Sequence, residues 1–156
     1  MDLLSIRPDG VYVDCTAGGG GHSRGILERL GEGGRLLSID KDPSAVRQTG
    51  RVLGAVDTRA SHHVLQLDFS RLDDAMDRFE INRADGILAD LGVSSPQLDS
   101  PERGFGYSQD GPLDMRMNPG TALSARDVVN GYPQDALARI LRDYGEERFA
   151  GRIAAA

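Results

Sequence analysis

An apolar run that ends in an acid and passes directly into four glycines leaves a backbone few options. Val11-Tyr12-Val13-Asp14 is such a run, and Cys15-Thr16-Ala17 lead from it into Gly18-Gly19-Gly20-Gly21, with His22 and Ser23 next. Without Cβ atoms the chain can turn sharply here and come close to a ligand. A strand turning tightly into a helix in this way is where doubly wound α/β folds bind nucleotides and related molecules. The spacing predicts Ser23 as the helix N-cap, with Ile26, Leu27 and Leu30 on one apolar face until Gly31 ends the helix.

The spacing of the glycines narrows the ligand. A dinucleotide fingerprint needs a third Gly or Ala where this chain has Ser23 or Arg24, and a phosphate-cradling loop needs Gly-Lys-Ser/Thr where it has Gly-His-Ser. Asp14-x-Thr16-x-Gly18-x-Gly20 resembles instead the first motif of Rossmann-like S-adenosylmethionine-dependent methyltransferases. That cofactor has no phosphate, so its site calls for a snug turn rather than an anion cradle. A flexible loop is the plain alternative. Asp40 strengthens the cofactor reading: Arg35-Leu36-Leu37-Ser38-Ile39-Asp40 is a second apolar run ending in an acid, placed to accept hydrogen bonds from ribose hydroxyls. A capping or solvated turn acid is the competing role. Asp42 and Pro43 predict the N-cap and first residue of the next helix.

The strand-helix alternation continues through a third strand over His63–Leu67, a helix marked by Leu72, Met76 and Phe79, and a fourth strand over Ala84–Leu91. Four such units imply a parallel sheet. In the order 3-2-1-4 the loops after Asp14 and Asp90 share the switch-point crevice where such sheets bind ligands. Phe69, following the third strand, is placed beside the adenine as an apolar surface or, equally, as a staple under the next helix.

Composition bounds the rest. With 156 residues, 39% hydrophobic and 27% charged, the chain reads as one soluble domain, and no stretch approaches transmembrane length or forms a signal peptide. The single cysteine excludes an internal disulfide and fits a cytoplasmic setting. A net charge of −6 argues against autonomous tight RNA binding unless positive charge is concentrated on one face. No histidine pair has the spacing of a metal site, and Asp99, Asp110 and Asp114 read as turn and capping acids. Residues 92–122 form a long loop with little periodicity, a substrate loop or lid, in which Arg103, Arg116, Phe105 and Tyr107 are candidates to meet RNA. Ser124 caps a short helix that Pro133 breaks; Leu137, Ile140 and Leu141 mark the next, and a last helix begins near Glu146.

Asp90-Leu91-Gly92-Val93-Ser94-Ser95-Pro96-Gln97-Leu98-Asp99 adds a second chemical signal. Together with the glycine turn, Arg103-Gly104-Phe105, Asp110-Gly111-Pro112-Leu113-Asp114-Met115-Arg116-Met117 and Tyr144-Gly145-Glu146-Glu147, it resembles the bacterial small-subunit ribosomal RNA cytosine-N4 methyltransferases, the RsmH or MraW family. The resemblance implies a class I methyltransferase fold, S-adenosyl-L-methionine as cofactor, and a cofactor site built from Gly18, Gly20, Gly21, His22, Asp40, Phe69, Asp90 and Gln97. It also implies methyl transfer to N4 of a cytidine in 16S rRNA, with the 30S subunit as partner and no DNA or membrane. The residues make chemical sense of this. The N4 lone pair is delocalised into the ring, and acceptors for the amino hydrogens favour its localised, nucleophilic form. Asp90, Ser94, Ser95 and the carbonyls around Pro96 supply acceptors where the amine would enter. Methylation at C5 would need a nucleophilic cysteine, and Cys15 lies in the glycine turn, where small-residue packing suits it better.

Relative to that family, the resemblance covers about the first half of a member. The expectation is therefore a partial methyltransferase domain over residues 1–156, its parallel sheet truncated after about four strands, with helices over 124–156 leading toward a missing half. A bare fourth edge would invite self-association. Two functional readings follow: an rRNA methyltransferase, or a non-catalytic Rossmann module that binds cofactor or a partner chain. A nucleotide-dependent oxidoreductase is disfavoured by the glycine spacing.

Overall fold

A computed structural model describes residues 2–156, which divide into two compact units, residues 2–94 and 95–156. The first unit holds β1 (Val11–Asp14), α1 (Gly21–Leu27), β2 (Arg35–Asp40), α2 (Pro43–Gly54), β3 (Ser61–Gln66), α3 (Leu72–Arg78) and β4 (Gly86–Leu88). The strands form one parallel sheet in the order β3-β2-β1-β4, as the alternation predicts.

The central strands are apolar along their length because both faces are covered. Tyr12 and Leu36 are paired in register and point into one core with Ile26 and Leu27 of α1 and Leu53 of α2. Val13 and Leu37, one residue on, point into the opposite core with Ile39, Cys15 and Ala75 of α3. This two-residue alternation fixes which helix covers which face. Each fully buried Leu or Ile contributes about 1.5–3 kcal/mol of transfer free energy. The α2 start is as the sequence predicts: Asp42 Oδ1 accepts from the Ser44 N–H at 2.8 Å, and Pro43 occupies the first turn.

Three elements, α1, β3 and β4, differ from expectation in their boundaries. Helix α1 begins at Gly21 and ends at Leu27, before Gly31, and its N-cap is Gly20 in a left-handed conformation (φ 85°). Ser23 is fully buried one turn inside and does not cap. β3 starts two residues earlier, at Ser61. β4 spans three residues, not eight. Its ladder ends where β1 turns away, with the Cys15 N–H donating to Leu88 O at 2.8 Å. Asp90 therefore lies beyond the strand rather than ending a buried one, and Ile87 is half-exposed.

The second unit contains α4 (Ser95–Asp99), α5 (Ala125–Gly131), α6 (Gln134–Asp143) and α7 (Ala150–Ile153). Ser124 and Asp127 form a reciprocal capping box at α5. The last helix starts at Ala150, four residues after Glu146, which itself adopts φ 51°. The long segment before α5 is irregular but tied down by its own side chains. Arg103 donates to the carbonyls of Arg116 (3.1 Å) and Met117 (2.9 Å). Arg116 makes a forked pair with Asp114, Nε to Oδ1 at 3.0 Å and a terminal nitrogen to Oδ2 at 2.6 Å, and donates to Thr121 O. These donors hold Asp114 well below the ordinary carboxylate range, at about 2. Both arginines that the sequence offers as candidates to meet RNA are engaged in holding the segment's shape. No helix among the described residues is long and apolar enough to cross a membrane.

Candidate cofactor site at the glycine turn

The site is assembled at the C-terminal ends of β1, β2 and β4. Beneath it lies Asp14, fully buried at the end of β1. Its Oδ1 accepts from the Thr16 N–H at 3.1 Å and its Oδ2 from the Ser23 hydroxyl at 2.6 Å, while Ser23 Oγ lies 2.8 Å from Ser38 Oγ of β2. One carboxylate thus ties the strand end, the first turn of α1 and the neighbouring strand together. Burial pushes the Asp14 carboxyl up, and the bonds from Ser23 and Thr16 oppose that shift.

The glycine turn sits above this network. Gly18 and Gly20 both have positive φ (51° and 85°), and a Cβ on Gly20 would stand 3.1 Å from Val52 Cβ and 3.2 Å from Thr49 Cα of α2. Only glycine fits there without displacement. The Gly18 N–H donates to Asp40 Oδ2 at 2.9 Å, and buried Thr49 reaches up from α2 to donate to Gly18 O at 3.2 Å. A Cβ on Gly19 or Gly21, in contrast, would meet nothing within 4 Å. The turn is closely packed from below and open above.

Asp40 accepts from Gly18 through one oxygen and from the Asp42 N–H through the other, at 2.9 Å each. A carboxylate has about four acceptor positions, so two remain for a ligand. Asp42, not Asp40, is the helix cap. The loop after β4 meets the turn directly: the Asp90 N–H donates to Thr16 Oγ1 at 2.7 Å, and Asp90 Oδ2 stands 3.8 Å from His22 Nδ1, both side chains exposed. Phe69 follows β3 and is half-exposed, and Asp68 caps its turn by accepting from the Ser70 N–H at 2.9 Å. That hydrogen bond, assisted by Lys41 at 3.6 Å, lowers the Asp68 pKa.

Gly18, Gly20, Gly21, His22, Asp40 and Asp90 are therefore grouped around one turn. Ser94 closes the first unit, whereas Ser95, Pro96 and Gln97 open the second as the start of α4, with Gln97 buried. Ser95 and Pro96 lie in a helical turn rather than in an extended loop. The supporting residues Ser23, Ser38 and Thr49 are absent from the site read off the sequence. Their signal is a small polar residue at a position the local pattern makes apolar, as Ser38 is between Leu37 and Ile39. Cys15 is buried in the second core and its thiol pKa is raised by burial.

A parallel 3-2-1-4 sheet, a glycine turn after β1 and an acid at the tip of β2 define a Rossmann-like methyltransferase domain. The sequence profile described as the MraW methylase family matches residues 1–156, and the chain belongs to that family. It is 54% identical over its full length to ribosomal RNA small subunit methyltransferase H of Methylococcus capsulatus, covering 52% of that protein. It is 51% identical over 99% of its length to the protein of the same name from Thioalkalivibrio sulfidiphilus, covering 48% of it. The chain thus spans about half the length of these curated relatives. An rRNA-methylase structure from Clostridium thermocellum aligns with 47% of the chain and 42% of its own length, at 20% identity and a TM-score of 0.44.

Proposed function

We propose that this chain carries the cofactor-binding part of an S-adenosylmethionine-dependent enzyme that methylates N4 of a cytidine in small-subunit (16S) rRNA. The observation that carries the reading is the glycine turn itself, braced from below by Thr49 and Asp40, open above Gly19 and Gly21, and bordered by Asp90. When bound, the cofactor supplies an electrophilic methyl group on a sulfonium. The donor set suits it. Asp40 has acceptor positions left for ribose hydroxyls, Phe69 offers an exposed apolar ring for the adenine, and Gly18–Gly21 let the ligand approach the backbone. His22, Asp90 and Gln97 complete the proposed cofactor set.

Asp90 is the proposed acceptor for a hydrogen of the target amine, with Ser94, Ser95 and the carbonyl of Pro96 as further acceptors. Accepting those hydrogens localises the N4 lone pair as the transition state requires. The C5 alternative needs a thiolate at the base, and Cys15 is buried with its ionisation suppressed. A second reading, cofactor binding without turnover, is favoured by the wide exposure of Asp90, whose hydrogen bonds must compete with water.

One experiment separates the readings. The chain is incubated with unmodified 30S subunits and labelled S-adenosylmethionine, and the product is mapped by mass spectrometry while calorimetry measures cofactor binding. A methyl on cytidine N4 supports the enzyme. Binding without transfer supports the second reading. A methyl on C5 or a ribose oxygen, or equal affinity for NAD, overturns the proposal.

A further inference from the structure

The chain carries a net charge of −6, so any RNA it grips must meet positive charge concentrated somewhere. Arg103 and Arg116 hold the segment before α5 through its own carbonyls and Asp114. Of the arginine-ring contacts, Arg78 stacks over Phe79, a partly buried core ring, and Arg103 over Phe105 is one of the engaged side chains. At the start of α7 the arrangement differs. The Phe149 ring is half-exposed, with the Arg148 guanidinium 4.6 Å and the Arg152 guanidinium 5.8 Å from its centroid. Both arginines are exposed, and neither makes an ion pair among the described residues. The neighbouring Glu147 carboxylate is turned back and accepts from the Phe149 N–H at 2.7 Å, and α7 itself carries no acidic residue.

We propose that Arg148, Phe149 and Arg152 form a docking surface for single-stranded RNA. The proposal rests on the RNA substrate of the reading above and adds where this chain meets it. An aromatic ring flanked by two guanidinium groups offers flat stacking surfaces for unpaired bases and two charges for the phosphates between them. A base can stack on the plane of an exposed guanidinium as well as on the half-exposed ring. Duplex nucleic acid, with its bases stacked internally, cannot use the ring. A purely apolar protein partner would leave both guanidinium charges desolvated and unpaired.

The test measures binding of a fluorescein-labelled single-stranded oligocytidine RNA to the whole chain by anisotropy over a series of salt concentrations. Wild type is compared with Phe149→Ala, Arg148→Ala/Arg152→Ala and the surface control Arg59→Ala. Each protein is also melted and titrated with S-adenosylmethionine, so that a folding defect is recognised. The double arginine variant is expected to lower the slope of log K against log salt by about 1.4, two phosphate contacts on a single strand. Phe149→Ala is expected to weaken binding about tenfold at every salt concentration, the order found for losing one base-stacking platform, and Arg59→Ala to change neither. Wild-type slope in the double variant overturns the proposal, as does failure of the chain to bind the RNA at all. If Phe149→Ala instead alters sedimentation and leaves RNA affinity unchanged, the face is a protein interface and the proposal falls. RNA binding lost in these variants, with no methyl transfer by wild type, would leave this surface standing and remove the enzyme reading.

Discussion

Asp40 and Asp14 end adjacent strands, and their surroundings give them different work. Asp40 is partly exposed at the tip of β2 and keeps acceptor positions beyond those used by Gly18 and Asp42. Asp40→Ala is expected to weaken S-adenosylmethionine binding by roughly 1.5–3 kcal/mol, the range for hydrogen bonds to a charged acceptor, in a calorimetric titration. Undiminished affinity would remove Asp40 from the site. Asp14 is fully buried, and burial raises its pKa above the unfolded value. The folded chain therefore holds this proton more tightly than the unfolded chain. Stability from this group is present below the unfolded carboxylate range and declines as pH rises toward the folded pKa. Asp14→Asn, which keeps one acceptor for Thr16 and offers a donor to Ser23, is expected to lose that pH dependence. Urea melts of both proteins across the acidic range check it, and parallel stability profiles would contradict the assignment.

At the scale of elements, the glycine turn separates a folding requirement from a binding one. Gly20→Ala places a Cβ against α2 in a left-handed conformation and is expected to cost about 1–3 kcal/mol of stability. Gly21→Ala sits in the first turn of α1 with open space around its Cβ, so stability is expected to hold while cofactor affinity falls. A thermal melt paired with a titration distinguishes the two, and a Gly21→Ala protein with wild-type affinity would place the ligand elsewhere. The segment before α5 has its own signature. Asp114 titrates at about 2 in the folded chain, so the contribution of its pair with Arg116 is fully present above the ordinary carboxylate range. It is lost as pH falls from near 4 toward 2. Proteolysis within residues 104–124 is expected to accelerate over that window, and to be fast at neutral pH in Arg116→Ala.

For the molecule as a whole, the sheet edge matters most. Among the described residues β4 pairs on one side only, with β1, and the Ile87 side chain beside that edge is half-exposed, as are Val93 and, more so, Leu91. An unpaired edge with apolar neighbours favours association. Sedimentation is expected to show concentration-dependent self-association that Ile87→Lys reduces. A compact monomer at all concentrations would count against it.

What the sequence determined by itself is what depends on near neighbours. The strand order follows from the alternation of apolar runs and helical faces; the glycine turn, the Asp42 cap with Pro43 and the Ser124 cap are each written within a few residues. The grouping of Asp40 and Asp90 around that turn was also legible, because a parallel sheet brings its C-terminal strand ends to one side. The tertiary structure alone decided matters that depend on residues far apart in the chain. Ser23 could have capped a helix, yet the depth at which α1 packs buries it between Asp14 and Ser38. The apolar pattern of residues 84–91 would support a longer strand, but a ladder ends where its partner turns, and β1 turns at Cys15. Arg103 and Arg116 carry the charge that RNA needs, but carbonyls thirteen residues away from Arg103 claim it first. Hydrogen bonds are satisfied by whatever the folded chain brings within about 3 Å, and only the finished packing determines which groups those are.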